Sequence, residues 1–303
     1  MFLVTGRWLC RRGFATAAPM TIGVFDSGVG GLSIHRALVG RFPGTDFVYL
    51  ADQANAPYGP RDGEEIVALT RAGCERLFAA GASLVVLACN TASAIALRRL
   101  QQTWLPSVRA ALGRPVNVIG IIVPTIEAAT GIPWSQEAPV RVSEKLEQVE
   151  VVGVFATPAT AASRVYEIEI HKRRDDVAVF SEPCAGLAGM IEANAPREDI
   201  AGVIAAHADA LTRRIGRAPD RAILGCTHYE IVADLFAAAL PAGTPMIFQP
   251  PAVADALERY LAAHPEFAVA GEGRRSFLTT GSPGPQSRMV ETFWGAPLSF
   301  EGA

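Results

Sequence analysis

The sequence predicts an α/β fold of two similar lobes, each a mostly parallel sheet flanked by helices, with a cleft between them. Three observations carry this. Short Val- and Ile-rich runs alternate with helical patterns, the runs are apolar at nearly every residue, and two of them recur in the second half of the chain. Strands buried on both faces lose the alternation of a half-exposed sheet, and strand–helix alternation marks a parallel one.

In chain order the predicted strands are 22–25, 47–51, 84–88, 117–123, 151–155, 177–180 and 222–224. Between the second and third, Ile66, Val67, Thr70, Cys74, Leu77 and Phe78 fall on one helical face at spacings of three and four. Ile200, Val203, Ile204, His207, Leu211 and Ile215 repeat that pattern before the last strand. The first strand, IGVFDS at 22–27, is echoed by VGVFAT at 152–157; LVVLACNT at 84–91 is echoed by RAILGCTH at 221–228. Each half thus has one strand ending in a hydroxyl residue and a later one ending in cysteine. Open α/β sheets bind ligands beyond the carboxyl ends of their strands, where all four of these motifs lie. The predicted lobes are 20–113 together with 248–303, and 114–247. Residues 1–19 hold Arg7, Arg11 and Arg12 and no acid, and Met20 directly precedes the first strand. They read as a leader or a misassigned N-terminal extension outside the fold; their apolar start is too short for a secretory signal.

Composition narrows the chemistry. The 303 residues, 50% apolar, suffice for two cores. A net charge of −3 lacks the basic footprint of a dedicated nucleic-acid binder. No apolar run approaches the roughly 20 residues of a membrane span. Five cysteines, without a Cys-x-x-Cys pair, argue against a disulfide framework or zinc ribbon and for a reducing compartment. The five histidines are dispersed, with no two at ligand spacing, so no metal is expected. Lys145 and Lys172 are the only lysines, neither in a recognisable site, whereas a pyridoxal enzyme needs one for its Schiff base.

Cys89 precedes a helical run, so its sulfur is expected near a helix N-terminus that favours thiolate, with Asn90 or Thr91 as the cap. The alternative is a buried structural cysteine. Cys226 repeats the arrangement, and His228 two residues on is placed to share a proton with a group at that strand end. Cys74 reads as core and Cys184 as a loop cysteine. Asp26-Ser27-Gly28-Val29-Gly30-Gly31 invites a dinucleotide reading, but Ser33 stands where the third glycine belongs. Its amides suit a small carboxylate equally well, and Asp26 is either a cap or a proton-transfer partner. The turn 55–61 is rigid by composition, either a plain loop or a display of amides to an anion. A hydrolase using a Cys226–His228 pair would leave Cys89 and the echo unused. A two-lobe binding protein is the non-catalytic alternative.

Together, DSGVGG at 26–31, APYGPR at 56–61, ACNTAS at 88–93 and GCTHY at 225–229 closely resemble the glutamate racemases of the cofactor-independent aspartate/glutamate racemase superfamily. The resemblance runs from about residue 22 into the C-terminal region. It implies interconversion of L- and D-glutamate in the cytoplasm without a cofactor, supply of D-glutamate for peptidoglycan, and the homodimer common in that family. Aspartate racemase is its nearest competitor. Residue by residue it assigns Cys89 and Cys226 as acid/base groups, deprotonating D- and L-glutamate respectively. Asp26 is assigned to the Cys89 side, and His228 with Glu192 to the Cys226 side. Asp26 and Ser27, Tyr58 and Gly59, Asn90 and Thr91, and Thr227 and His228 are implied to bind substrate. Asp52 matches an acid before the Pro-Tyr-Gly turn. The residues before Glu192, 184–189, depart from the family pattern, and Gln249-Pro250-Pro251 replaces a usual acid–hydroxyl stretch. Two acid/base groups on opposite faces of a carbon are what inversion without a cofactor requires.

Overall fold

The structure, a computed structural model, describes residues 21–135, 139, 149–267, 271–285 and 288–303. The expectation for residues 1–19 falls outside these. The strands are β1 (Thr21–Asp26), β2 (Asp46–Ala51), β3 (Ala82–Leu87), β4 (Asn117–Gly120), β5 (Glu150–Ala156), β6 (Val177–Pro183), β7 (Arg221–Gly225), β8 (Met246–Ile247), β9 (Arg275–Thr279), β10 (Gly284–Pro285) and β11 (Ser299–Gly302). One sheet runs β10-β11-β9-β2-β1-β3-β4 and the other β6-β5-β7-β8. Apart from the antiparallel β10–β11 edge, the paired strands are parallel.

Alternate residues of one strand feed different cores, because successive side chains point to opposite faces. Ile22 and Val24 pack with Leu84 and Val86 beneath helices Leu32–Arg41 and Gln249–Ala263. Phe25, Val85 and Leu87 pack on the other face, against Ile66, Cys74 and Leu77 of helix Gly63–Ala79. The second lobe repeats this, with Phe155 and Leu224 on one face and Val152, Val154 and Ile223 on the other. Both faces are covered, so the strands read as continuous apolar runs.

The expected strand 117–123 and the expected lobe boundary before residue 114 both need correction. β4 ends at Gly120 and pairs with β3, so it belongs to the first sheet. Ile121 packs in the first lobe's core, whereas Ile122 opens helix Ile122–Thr130 and packs against Val152, Val154 and Ile223 of the second. Hydropathy cannot tell a buried strand from a buried helix start. The chain therefore crosses between lobes at 121–122. It returns at Phe248, which is exposed between β8 and helix Gln249–Ala263. β8 to β11 lacked a legible pattern, since they are short, partly exposed or rich in Gly and Pro.

His35 lies in the first core with its ring 5.2 Å from that of Trp294 and about 5.5 Å from those of Phe47, Tyr49 and Phe277. Neither ring nitrogen has a hydrogen-bond partner among the described residues. Burial, with Arg275 adding repulsion, lowers its pKa to about 3. The unfolded chain therefore binds this proton first, and stability is lost as pH falls below about 6.5. At about 1.4 kcal/mol per pH unit, His35 alone removes about 3 kcal/mol between pH 7 and pH 4. His35→Leu should flatten that dependence in urea titrations at the two pH values. An unchanged difference would show that His35 is not its source.

Candidate functional site

Five of the segments singled out in the sequence meet where the two sheets' strand ends face each other. Cys89 follows β3 and Cys226 follows β7; each is 6% exposed. Cys89 is itself the N-cap of helix Asn90–Ile95, its sulfur accepting from the Ala92 amide at 3.5 Å. This corrects the expectation that Asn90 or Thr91 caps that helix. Ser27 Oγ lies 3.4 Å from Cys89 Sγ. Burial pushes the Cys89 thiol up to about 12, with the Asp26 carboxylate adding to the effect, so the proton stays on this sulfur at neutral pH.

Asp26 ends β1 at 1% exposure. Its Oδ1 accepts from the Gly28 amide at 2.8 Å, while Oδ2 has no partner among the described residues. Burial raises its pKa, against the pull of His228 and the Gly28 amide. On the other side His228 Nδ1 lies 3.8 Å from Cys226 Sγ, and its Nε2 lies 3.0 Å from Glu192 Oε2. Burial opposes charge on this imidazole, but hydrogen bonds to Cys226 and Glu192 outweigh it and carry the pKa to about 10. These bonds hold the His228 ring towards its protonated form.

The glycine loop between these halves has a packing reason rather than a phosphate-binding one. A Cβ on Gly31 would sit 2.7 Å from Asp26 Cβ, and one on Gly30 would sit 2.5 Å from Thr227 Oγ1. The other turn is built as firmly. Asp52 accepts from Tyr58 Oη at 2.5 Å, from Asn55 Nδ2 at 3.0 Å and from Thr280 Oγ1 at 2.7 Å, which fixes Tyr58 and Gly59. Burial and the adjoining Asp52 carboxylate push the Tyr58 phenol far up, so it stays a neutral donor. Gly59 is seated on the second lobe, its carbonyl accepting from the Ala159 amide at 3.3 Å.

Thr91 Oγ1 lies 3.0 Å from Thr157 Oγ1, the echo of Ser27 in the second lobe. The echo is not repeated in contact: Ser27 meets a cysteine, whereas Thr157 meets Thr91 and caps helix Pro158–Ala162 through the Thr160 amide. Asn90 turns its carboxamide towards Gln249 and Tyr166. Gln249, fully buried, is a residue the sequence marked only as a departure in register. Thr125 and Tyr166, which complete that cluster, carried no signal. Asn90, Thr91, Thr227, His228 and Tyr58 are all buried, so the lobes are closed on one another here. A cavity of about 390 Å³, lined by Ser33, Arg36, Glu230 and Phe293 among others, contains neither cysteine. Among the described residues no group of three or more His, Cys, Asp or Glu is arranged to hold a metal ion, and no helix is long and apolar enough to cross a membrane.

Comparison with known proteins shows the family of this chain. The Asp/Glu/hydantoin racemase family profile matches residues 33–257. A glutamate racemase of Caulobacter sp. (strain K31) is 72% identical over 284 residues, 94% of this chain and 100% of that protein. The chain belongs to the Asp/Glu/hydantoin racemase family. The fold agrees with solved members of this family. A glutamate racemase from Bacillus anthracis matches with a TM-score of 0.74 at 27% identity, over 94% of this chain and 97% of that one. A second, from Francisella tularensis subsp. tularensis SCHU S4 in complex with D-glutamate, matches with a TM-score of 0.72 at 25% identity, over 94% and 96%. In racemase terms, the two sulfurs differ in surroundings: Cys89 beside a buried carboxylate, Cys226 beside a cationic imidazole.

Proposed function

We propose that the protein is a glutamate racemase that moves the α-proton between Cys89 and Cys226 without a cofactor, and so supplies D-glutamate for peptidoglycan synthesis. The observation that carries this is the pair of buried cysteines at the ends of β3 and β7, one from each lobe. In the L-to-D direction the Cys226 sulfur takes the α-proton from one face, and the Cys89 thiol delivers its own to the other. Negative charge thereby passes from one sulfur to the other through the carbanion, and atoms and charge balance. The reverse reaction starts from the opposite protonation state. The imidazolium of His228, held by Glu192, stabilises charge on the Cys226 side, while Asp26 biases Cys89 towards the thiol. On this reading Ser27, Tyr58, Gly59, Asn90, Thr91 and Thr227 bind the substrate when the lobes part, as preorganised donors in a dry cleft. Substrate enters by parting of the lobes about the crossings at 121–122 and 248. By the same reading the enzyme works in the cytoplasm as a homodimer, which its mass in light scattering tests.

The deciding experiment is incubation with L- or D-glutamate in deuterated buffer with no cofactor added. Circular dichroism of the amino acid should decay to zero from either enantiomer, with deuterium appearing at the α-carbon. Binding without exchange, or a covalent acyl-enzyme in mass spectra, would refute the reading. Parallel incubations with aspartate test the substrate assignment.

A further inference from the structure

Gln249 is fully buried at the start of helix Gln249–Ala263, where the chain returns from the second lobe to the first. Its carboxamide forms a reciprocal pair with Asn90: Asn90 Nδ2 donates to Gln249 Oε1 at 2.8 Å, and Gln249 Nε2 donates back to Asn90 Oδ1 at 3.1 Å. Each primary amide offers both a donor and an acceptor, so the two satisfy each other. The same Nε2 donates to Thr125 Oγ1 at 2.9 Å, and Tyr166 Oη donates to Asn90 Oδ1 at 2.8 Å. The backbone amide of Gln249 donates to Glu230 Oε1 at 2.7 Å.

These bonds reach both cysteines. Asn90 follows Cys89 directly and begins the helix whose Ala92 amide holds the Cys89 sulfur. Glu230 lies in the helical turn Thr227–Val232 that follows Cys226 and contains His228. One residue therefore ties the segment carrying the first thiol to the segment carrying the second. We propose that Gln249 is a positioning residue for the two-cysteine reaction, fixing the placement of Cys89 relative to Cys226 through Asn90 and Glu230. This rests on the racemase reading. Gln249 acts through its neighbours and does not touch the reacting carbon, so its removal acts on the proton-transfer steps more than on substrate capture.

The test uses the full-length protein and Gln249→Met, which keeps the length of the side chain and the backbone bond to Glu230 but removes the carboxamide bonds to Asn90 and Thr125. Misplacing a reacting group by about 1 Å lowers rate by up to about a hundredfold. The expected result is a fall in kcat of tenfold or more with KM within threefold of the parent. The isotope effect with α-deuterated glutamate should not fall, since proton transfer becomes the slower step. A kcat within twofold of the parent, or a loss confined to KM, overturns the proposal. Should circular dichroism show that Gln249→Met does not fold, Gln249→Glu and Tyr166→Phe are read by the same criteria. The first keeps an acceptor for Asn90 Nδ2 and loses the donor; the second removes the hydroxyl bound to Asn90. The parent is assayed first: absence of turnover there counts against the racemase reading, whereas full rates in the variants count against Gln249 alone.

Discussion

Cys89→Ser and Cys226→Ser should each lower racemisation about a thousandfold or more, with folding intact. A serine hydroxyl matches the thiol in shape but is far too weak an acid to be ionised at neutral pH, and one well-placed acid or base contributes about 10²- to 10⁴-fold. The enantiomers have equal free energy, so kcat/KM must fall by the same factor in both directions, whichever cysteine is removed. Asymmetry has to be sought in isotope exchange without inversion. Cys89→Ser keeps the Cys226–His228–Glu192 side, in which sulfur and imidazole lie 3.8 Å apart and imidazole and carboxylate 3.0 Å. It should still exchange the α-proton of L-glutamate with solvent, returning a deuteron to the face it left. Cys226→Ser should favour D-glutamate instead. Proton NMR in deuterated buffer reads both outcomes. Near-parental racemisation in either variant, or exchange of the wrong enantiomer, would sink the two-base assignment.

What could be read from the sequence divides along a physical line. β1, β2, β3, β5 and β7 were legible because helices cover both faces of their sheets, which forces nearly every residue to be apolar. β9 to β11 were not, because β11 buries Phe300 alone and β10 consists of Gly284 and Pro285. The segment through Ile122 misled because its two neighbouring isoleucines serve different cores, something hydropathy does not record. The strand-end place of Cys89 and Cys226 was visible as a repeated motif. Gln249 was not, since its burial exists only where two lobes distant in sequence come together. The glycines of DSGVGG show the same limit: a spacing rule suggested amides for an anion, while the close approach of Asp26, Ala88, Thr227 and His228 accounts for Gly30 and Gly31.

That close approach makes Gly30→Ala a methyl aimed directly at the Cys226 side of the site. Its Cβ would lie 2.5 Å from Thr227 Oγ1, 2.6 Å from His228 Nδ1 and 2.7 Å from His228 Cε1. None of these atoms belongs to a side chain with room to yield. Thr227 is 3% exposed; the His228 ring packs edge-on against Phe293 at 5.4 Å and is held by Glu192 through its far nitrogen. Either the ring rotates and leaves Glu192, or the first lobe's loop backs away and the lobes part. The struck nitrogen is the one facing Cys226, so both responses disturb that sulfur's proton partner. Overpacking of this kind destabilises by about 1–3 kcal/mol. The displacement should lower kcat/KM about a hundredfold in protein that is still folded. Gly40→Ala is the matched control, on the same helix-forming stretch with nothing within 4 Å of its added methyl. In the helix Leu32–Arg41 that change should stabilise by about 0.5–1 kcal/mol and leave turnover unaltered. If Gly30→Ala racemises glutamate within threefold of the parent, the interlocked loop is not what holds His228 in its working position.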